Sequence, residues 1–189
     1  MVIAGVDEAG RGPWAGPVVA AAVILRGRVP AGLDDSKRLT ARRREALFAA
    51  LRESDAIIGV GEASVAEIDA RNILQATWLA MTRAVEALGV EPAHVLVDGN
   101  RLPKWRWPAR AIVGGDGLEP AISAASIVAK VTRDAIMAEL DAQHPGYGWA
   151  ANQGYGTAAH VEGLHRLGVT VHHRRSFKPI RALIEENSG

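Results

Sequence analysis

Residues 1–25, MVIAGVDEAGRGPWAGPVVAAAVIL, decide how the chain reads. A short apolar run from Val2 to Val6 stops at the adjacent acids Asp7 and Glu8, and Gly10-Arg11-Gly12-Pro13 follows. A second apolar run, rich in Val and Ala, extends from Pro17 to Leu25. Strand, tight glycine loop and returning strand is what such runs predict. Beyond a turn at Pro30 to Asp35, Thr40 offers an N-cap to a helix through Ser54, with Ala46, Leu47, Ala50 and Leu51 at helical spacing. Ala56 to Gly61 reads as a third strand, Ser64 opens a short helix, and Asn72 caps a longer one through Leu88. Short strands are expected at His94 to Val97 and Ala109 to Val113. A long helix with one small-residue face follows Pro120, then an aromatic, glycine-rich loop from Gly146 to Gly156 and helices at Thr157 to Leu167 and Pro179 to Glu186. Three strands in a row, then strands alternating with helices, predict an α/β domain on a central mixed sheet flanked by helices, the first three strands antiparallel.

The apolar strands repeatedly stop at an acid. VIAGV stops at Asp7-Glu8, HVLV at Asp98, and ARAIVGG at Asp116. If the strands ending this way are parallel neighbours, their acids converge at the sheet edge where open α/β sheets place ligands. Clustered carboxylates repel one another and lose ionisation unless a cation neutralises them. Oxygen ligands without His or Cys suit Mg²⁺ or Mn²⁺. Two such ions about 4 Å apart activate water and stabilise the leaving oxygen of a phosphodiester. Aspartate before glycine is also ordinary turn chemistry, so Asp98-Gly99 and Asp116-Gly117 each have a bland reading as well. The Gly10-Arg11-Gly12 loop fits neither a Walker loop nor a dinucleotide fingerprint. Its glycines let backbone amides approach a ligand closely, with Arg11 placed to meet phosphate.

The 189 residues hold 22 basic and 21 acidic side chains, 48% hydrophobic residues and no cysteine. That composition supports a packed core and excludes disulfide scaffolds, thiolate metal sites and a cysteine nucleophile. No long apolar run marks a membrane span, and the early acids argue against a secretory signal, so a cytoplasmic location is expected. Charge is unevenly placed: cations gather from Lys37 to Arg44, from Arg101 to Arg110 and in the tail from His160 to Arg181, which fits a polyanionic partner. The six histidines show no metal-ligand spacing.

The segment Val6 to Val18 resembles the N-terminal signature of ribonuclease HII. The resemblance continues through Asp35-Ser36-Lys37, Asp98-Gly99-Asn100, Gly115-Asp116, Ser123 to Lys130 with Arg133-Asp134, Asn152 to Thr157, His160, and His173 to Phe177. It implies a ribonuclease H-like fold with a helical C-terminal part, residues 1–189 forming one catalytic domain whose stretch from about 145 onward helps bind substrate. The implied activity is endonucleolytic cleavage of RNA in RNA–DNA hybrids and incision at ribonucleotides embedded in duplex DNA. By resemblance, Asp7, Glu8, Asp98 and Asp116 are the catalytic, metal-binding carboxylates, holding Mn²⁺ or Mg²⁺, two ions when substrate is bound. Asp134 is a candidate outer metal contact, with pairing to Arg133 or Lys130 as its other reading. Gly10, Arg11 and Gly12 match the loop whose backbone reads a ribose 2′-hydroxyl, the group that separates RNA from DNA. Tyr155 matches the tyrosine that stacks on the following deoxynucleotide's sugar. Lys37 and Arg38 fit phosphate contacts, and Ser36 and Asn72 are candidate polar partners.

Two positions depart from the family pattern. Gln153 stands where lysine is usual, and Trp14 replaces leucine beside the glycine loop. A monomer is expected. The alternatives are a ribonuclease HIII-type or resolvase-like nuclease on the same fold, or a non-catalytic hybrid-binding domain. Trp105 and Trp107, in a basic loop, read as cover for the core.

Overall fold

The computed structural model describes residues 1–33 and 38–189. Five strands form one mixed sheet in the order β3-β2-β1-β4-β5. They are β1 (Ile3–Ala9), β2 (Val18–Ile24), β3 (Ile57–Ala63), β4 (His94–Asp98) and β5 (Ala109–Ile112). β2 pairs antiparallel with both β1 and β3, while β4 runs parallel to β1 and to β5. The helices are α1 (Ala41–Glu53), α2 (Val65–Arg71), α3 (Ile73–Glu86), α4 (Pro120–Gln143), α5 (Trp149–Asn152), α6 (Ala158–Leu167) and α7 (Lys178–Glu186). Their starts follow the capping residues in the sequence. Thr40 Oγ1 accepts from the Arg43 amide, Ser64 and Glu67 form a reciprocal capping box, and Asn72 Oδ1 accepts from the Gln75 amide.

β2 is buried along its whole length, as expected of a strand covered on both faces. On one face Ala4, Val6, Ala20, Ala22, Val95 and Val97 pack against Ala76, Ala80 and Ala84 of α3. On the other, Ala21 and Val23 meet Ala124, Ala125 and Val128 of α4 and Leu47 and Leu51 of α1. Small residues bring these helices close. A Cβ on Gly5 would lie 2.2 Å from the Ala121 carbonyl carbon, and one on Gly61 would lie 2.3 Å from the Ala80 oxygen. A third cluster, Ala15, Met137, Tyr147, Trp149, Leu164 and Ile180, seats the C-terminal helices on the end of α4. Trp107 is buried and Trp105 packs beside it, their indoles donating to Glu91 and Thr82, so both cover the core as expected. Among the described residues no helix is long and apolar enough to cross a membrane.

Three boundaries differ from the sequence reading. β1 continues through Asp7 and Glu8 because its ladder with β2 persists through Asp7↔Ala21, Glu8↔Ala20 and Ala9↔Val19. β5 ends at Ile112, and Asp116 lies beyond it in a 3-10 turn, Gly115–Gly117, rather than at the strand end. The glycine-rich loop contains the one-turn helix α5, whose first amide donates to Asp141.

The close seat of α4 on β1 makes a specific demand. Gly5→Ala should destabilise the protein by about 1–3 kcal/mol through overpacking against α4 backbone, read as a lowered urea midpoint. An unchanged midpoint would mean that α4 sits further from the sheet than described.

Candidate active site

The register of β1 and β4 builds the site. Val6 pairs with Val97, so Asp7 and Asp98 come next on two adjacent parallel strands. Asp116 joins them through its turn: its amide donates to Asp98 Oδ1 at 3.1 Å, and Ser123 Oγ of α4 donates to its carbonyl. One carboxylate oxygen from each of Asp7, Asp98 and Asp116 lies within 4.8 Å of the others. Glu8 is not part of this group. Side chains alternate along a strand, so Asp7 shares the α4 face with Gly5, whereas Glu8 turns the other way. There its Oε1 lies 3.9 Å from the Arg11 guanidinium, and its Oε2 is buried without a hydrogen-bond partner among the described residues.

Electrostatics follow from this crowding. Burial pushes the Asp7 carboxyl well above the usual carboxylate range, and the charges of Glu8, Asp98 and Asp116 push it further. Burial also raises Glu8; Arg11 opposes the shift and Asp98 adds to it. An oxygen-only cluster of mutually repelling acids, with an orphaned carboxylate oxygen beside it, fits a hard divalent cation.

Two clefts meet at Glu8 and Arg11. The first, about 360 Å³, is lined by Gly10, Gly12 and Tyr155 with the cations Arg44, Lys130 and Arg133. The second, about 390 Å³, runs past Asp98, Asn100 and Arg101 to Trp78 of α3. Tyr155 is half exposed, its ring edge 3.2 Å from where a Gly12 Cβ would lie. The structure therefore brings Asp7, Asp98 and Asp116 together and sets Gly10, Arg11, Gly12 and Tyr155 around one adjoining cleft. Asp134 does not join the carboxylates: Lys130 holds it at 2.7 Å. Asn72, exposed and with φ 96°, uses its side-chain oxygen as the α3 cap. Arg38 is exposed, while Ser36 and Lys37 lie outside the described residues. The Gln153 side chain bonds back to the Ala150 carbonyl, and Trp14 packs where Gly156 leaves room for its ring.

Sequence reasoning missed two arginines and a histidine pair. Arg174, counted with the cationic tail, is fully buried, and Arg133 is 2% exposed. Both donate to main-chain carbonyls around the glycine loop. For Arg133 a signal existed, since Ala129, Arg133 and Met137 recur every fourth residue on the buried stripe of α4. Arg106 is likewise not a free member of its cationic stretch, because it pairs with Glu91. His160 and His173 meet at 3.0 Å through their Nε2 atoms, walled by Trp149 and Tyr147. The Thr170 amide donates to His173 Nδ1, so the His173 proton sits on Nε2 and is given to His160 Nε2. His160 in turn donates from Nδ1 to the Tyr155 carbonyl at 2.9 Å. This neutral relay holds the backbone that carries Tyr155.

A cluster of carboxylates gathered from β1, β4 and the turn after β5, beside a cleft rich in cations, defines a phosphodiester hydrolase site on a ribonuclease H-like fold. Among solved structures, ribonuclease H2 from Pyrococcus horikoshii matches with a TM-score of 0.83 at 28% identity over 98% of each chain. The family model described as Ribonuclease HII matches residues 4–180, and the chain belongs to that family. It is 65% identical over 182 residues to ribonuclease HII of Sphingopyxis alaskensis, covering 96% of this chain and 91% of the relative. Against the same enzyme of Rhizorhabdus wittichii the identity is 64% over 181 residues, covering 95% and 89%. The chain is thus a hydrolytic endoribonuclease with ribonuclease H activity.

The histidine relay makes stability pH-dependent. Burial, with smaller contributions from His160, His172 and His144, lowers His173 to about 3. The unfolded chain therefore takes up a proton that the fold refuses, so this contribution is complete above the unfolded value near 6.5 and is lost as pH falls toward about 3. The melting temperature should drop on going from neutral to acidic buffer, by up to about 1.4 kcal/mol of stability per pH unit. His173→Gln should melt lower at neutral pH and flatten that acid slope; an unaltered slope would show that His173 is not the group titrating.

Proposed function

We propose that this endoribonuclease cleaves the RNA strand of RNA–DNA hybrids and incises duplex DNA at embedded ribonucleotides, leaving 5′-phosphate and 3′-hydroxyl ends. The observation that carries the reading is the carboxylate group of Asp7, Asp98 and Asp116 opening beside the cleft of Gly10, Gly12 and Tyr155. Asp7, Asp98 and Asp116 would hold divalent ions, Mg²⁺ or Mn²⁺, with Glu8 supplying its buried oxygen from the other side. Such ions, two of them with substrate in place, would supply an acidified water and charge to offset that on the departing 3′-oxygen.

The chain's own groups do the rest. Asp7 feels the charges of Glu8, Asp98 and Asp116 together, so its ionised form would be the common anchor of the site. The amides at Gly10 to Gly12 face a ribose 2′-hydroxyl, which a DNA strand lacks. Tyr155 stacks on the next sugar and orients the junction, and Arg11 meets the phosphate between them. Arg38, Arg44, Lys130 and Arg101 lie along the path of a duplex backbone, where each neutralised phosphate weakens binding with added salt. Ser36, Lys37 and Asn72 are proposed as further substrate contacts. Residues 1–189 work as one catalytic domain, the part from about 145 onward supplying Tyr155 and its mounting. In this reading the enzyme would act in the cytoplasm as a monomer.

The test is cleavage of a duplex bearing one ribonucleotide, with the cut position mapped in Mg²⁺ and in Mn²⁺. Asp7→Asn should lower the rate by about 10³-fold, equivalent to about 4 kcal/mol. Cleavage on the 5′ side of the ribonucleotide supports the reading, and wild-type rates in the variant would falsify it.

A further inference from the structure

Arg133 and Arg174 are cations placed where burial is costly, and among the described residues neither has a carboxylate in ion-pair contact. Each directs its donors at backbone instead. Arg174 donates from Nε to Gly16 at 2.9 Å, from Nη1 to Arg11 at 2.9 Å, and from Nη2 to Gly10 at 2.6 Å. Arg133 donates to the carbonyls of Pro17 and Ala15 at 2.9 Å and of Gln153 at 2.8 Å. The loop is shaped to lie on them. Gly10 has φ +92°, and a Cβ there would fall 1.9 Å from Arg133 Nε.

The consequence comes from peptide geometry. A trans peptide points its N–H opposite its C=O, and among the described residues no peptide bond is cis. Pinning the Gly10 and Arg11 carbonyls inward on Arg174 therefore turns the Arg11 and Gly12 amides outward, toward the cleft those residues line. Arg133 ties Gln153, two residues before Tyr155, to the same frame. We propose that Arg174, backed by Arg133, is a positioning residue for sugar discrimination: it aims the amides that meet the 2′-hydroxyl and keeps them in register with Tyr155. The inference rests on the reading of Gly10 to Gly12 given above. A lysine at position 174 keeps the charge but loses the planar fork that reaches several carbonyls at once.

The experiment compares kcat/KM on two duplexes, identical except that the single ribonucleotide of one is replaced by its 2′-fluoro analogue, which cannot serve the amides as a full hydroxyl oxygen does. Three variants are run beside wild type: Arg174→Lys, Arg133→Lys, and Gly12→Pro, which removes one amide outright. Arg174→Lys should cut kcat/KM on the ribonucleotide about tenfold while moving the fluoro substrate little, compressing the ratio as Gly12→Pro does. If Arg174→Lys lowers both substrates by the same factor while Gly12→Pro compresses the ratio, the arginine is structural only and the inference is overturned. If Gly12→Pro leaves the ratio unmoved, the reading of the glycine loop itself fails. Should Arg174→Lys not fold, Arg133→Lys carries the same comparison, with an unmoved ratio counting against the inference.

Discussion

Repulsion among buried carboxylates is the constraint around which this molecule is arranged. The parallel pairing of β1 and β4 forces Asp7 next to Asp98, and the turn after β5 closes Asp116 onto them. In the unmetallated protein the fold favours the protonated form of Asp7, whose carboxyl titrates well above its usual range. That contribution is present at low pH and disappears as pH rises through the elevated value. The sheet, with α4 pressed on it at Gly5, supplies the rigidity that holds the acids in place despite this penalty. In the function proposed above, a divalent cation held by these acids would offset their mutual repulsion.

The glycine-loop side of the cleft is mounted by a different device. The glycine loop returns no regular ladder of its own, and its carbonyls are gathered by Arg133 and Arg174 from the other side. Burial lowers the two guanidiniums to about 10 and about 9, still above neutrality, so they remain cations behind the cleft. The tail reaches this frame through the Ala15 to His173 bridge and the Arg174 amide on the Trp14 carbonyl. The carboxylate group and the glycine loop are thus held by separate supports that meet at Glu8 and Arg11.

Much of this was visible in the chain. The run from Val2 to Leu25 announced its hairpin, and Thr40, Ser64 and Asn72 announced their helices, because capping and strand alternation are local. Asp7 and Asp98 were legible as a pair because two apolar strands ended alike. Asp116 was legible as a residue but not as a turn, since the approach of its amide to Asp98 is a tertiary event 18 residues apart. Adjacency in sequence conceals the strand alternation that turns the Glu8 side chain to the opposite face from Asp7. Arg174 was illegible: an arginine among His173, Arg175 and Lys178 looks like surface, and only the distant carbonyls of Gly10, Arg11 and Gly16 show otherwise. At Gln153, where lysine is usual, the main-chain carbonyl accepts from Arg133, a backbone role that side-chain identity does not reveal.

The central claim is that a proton and a metal ion compete at Asp7. Calorimetric titration of the protein with Mn²⁺ at weakly acidic pH, in two buffers of different ionisation enthalpy, measures that competition directly. The account predicts a binding enthalpy that differs between the buffers for the wild-type protein, reporting proton release, and a smaller difference for Asp7→Asn, in which Glu8 keeps its raised carboxyl. Binding enthalpies independent of buffer in the wild-type protein would contradict it.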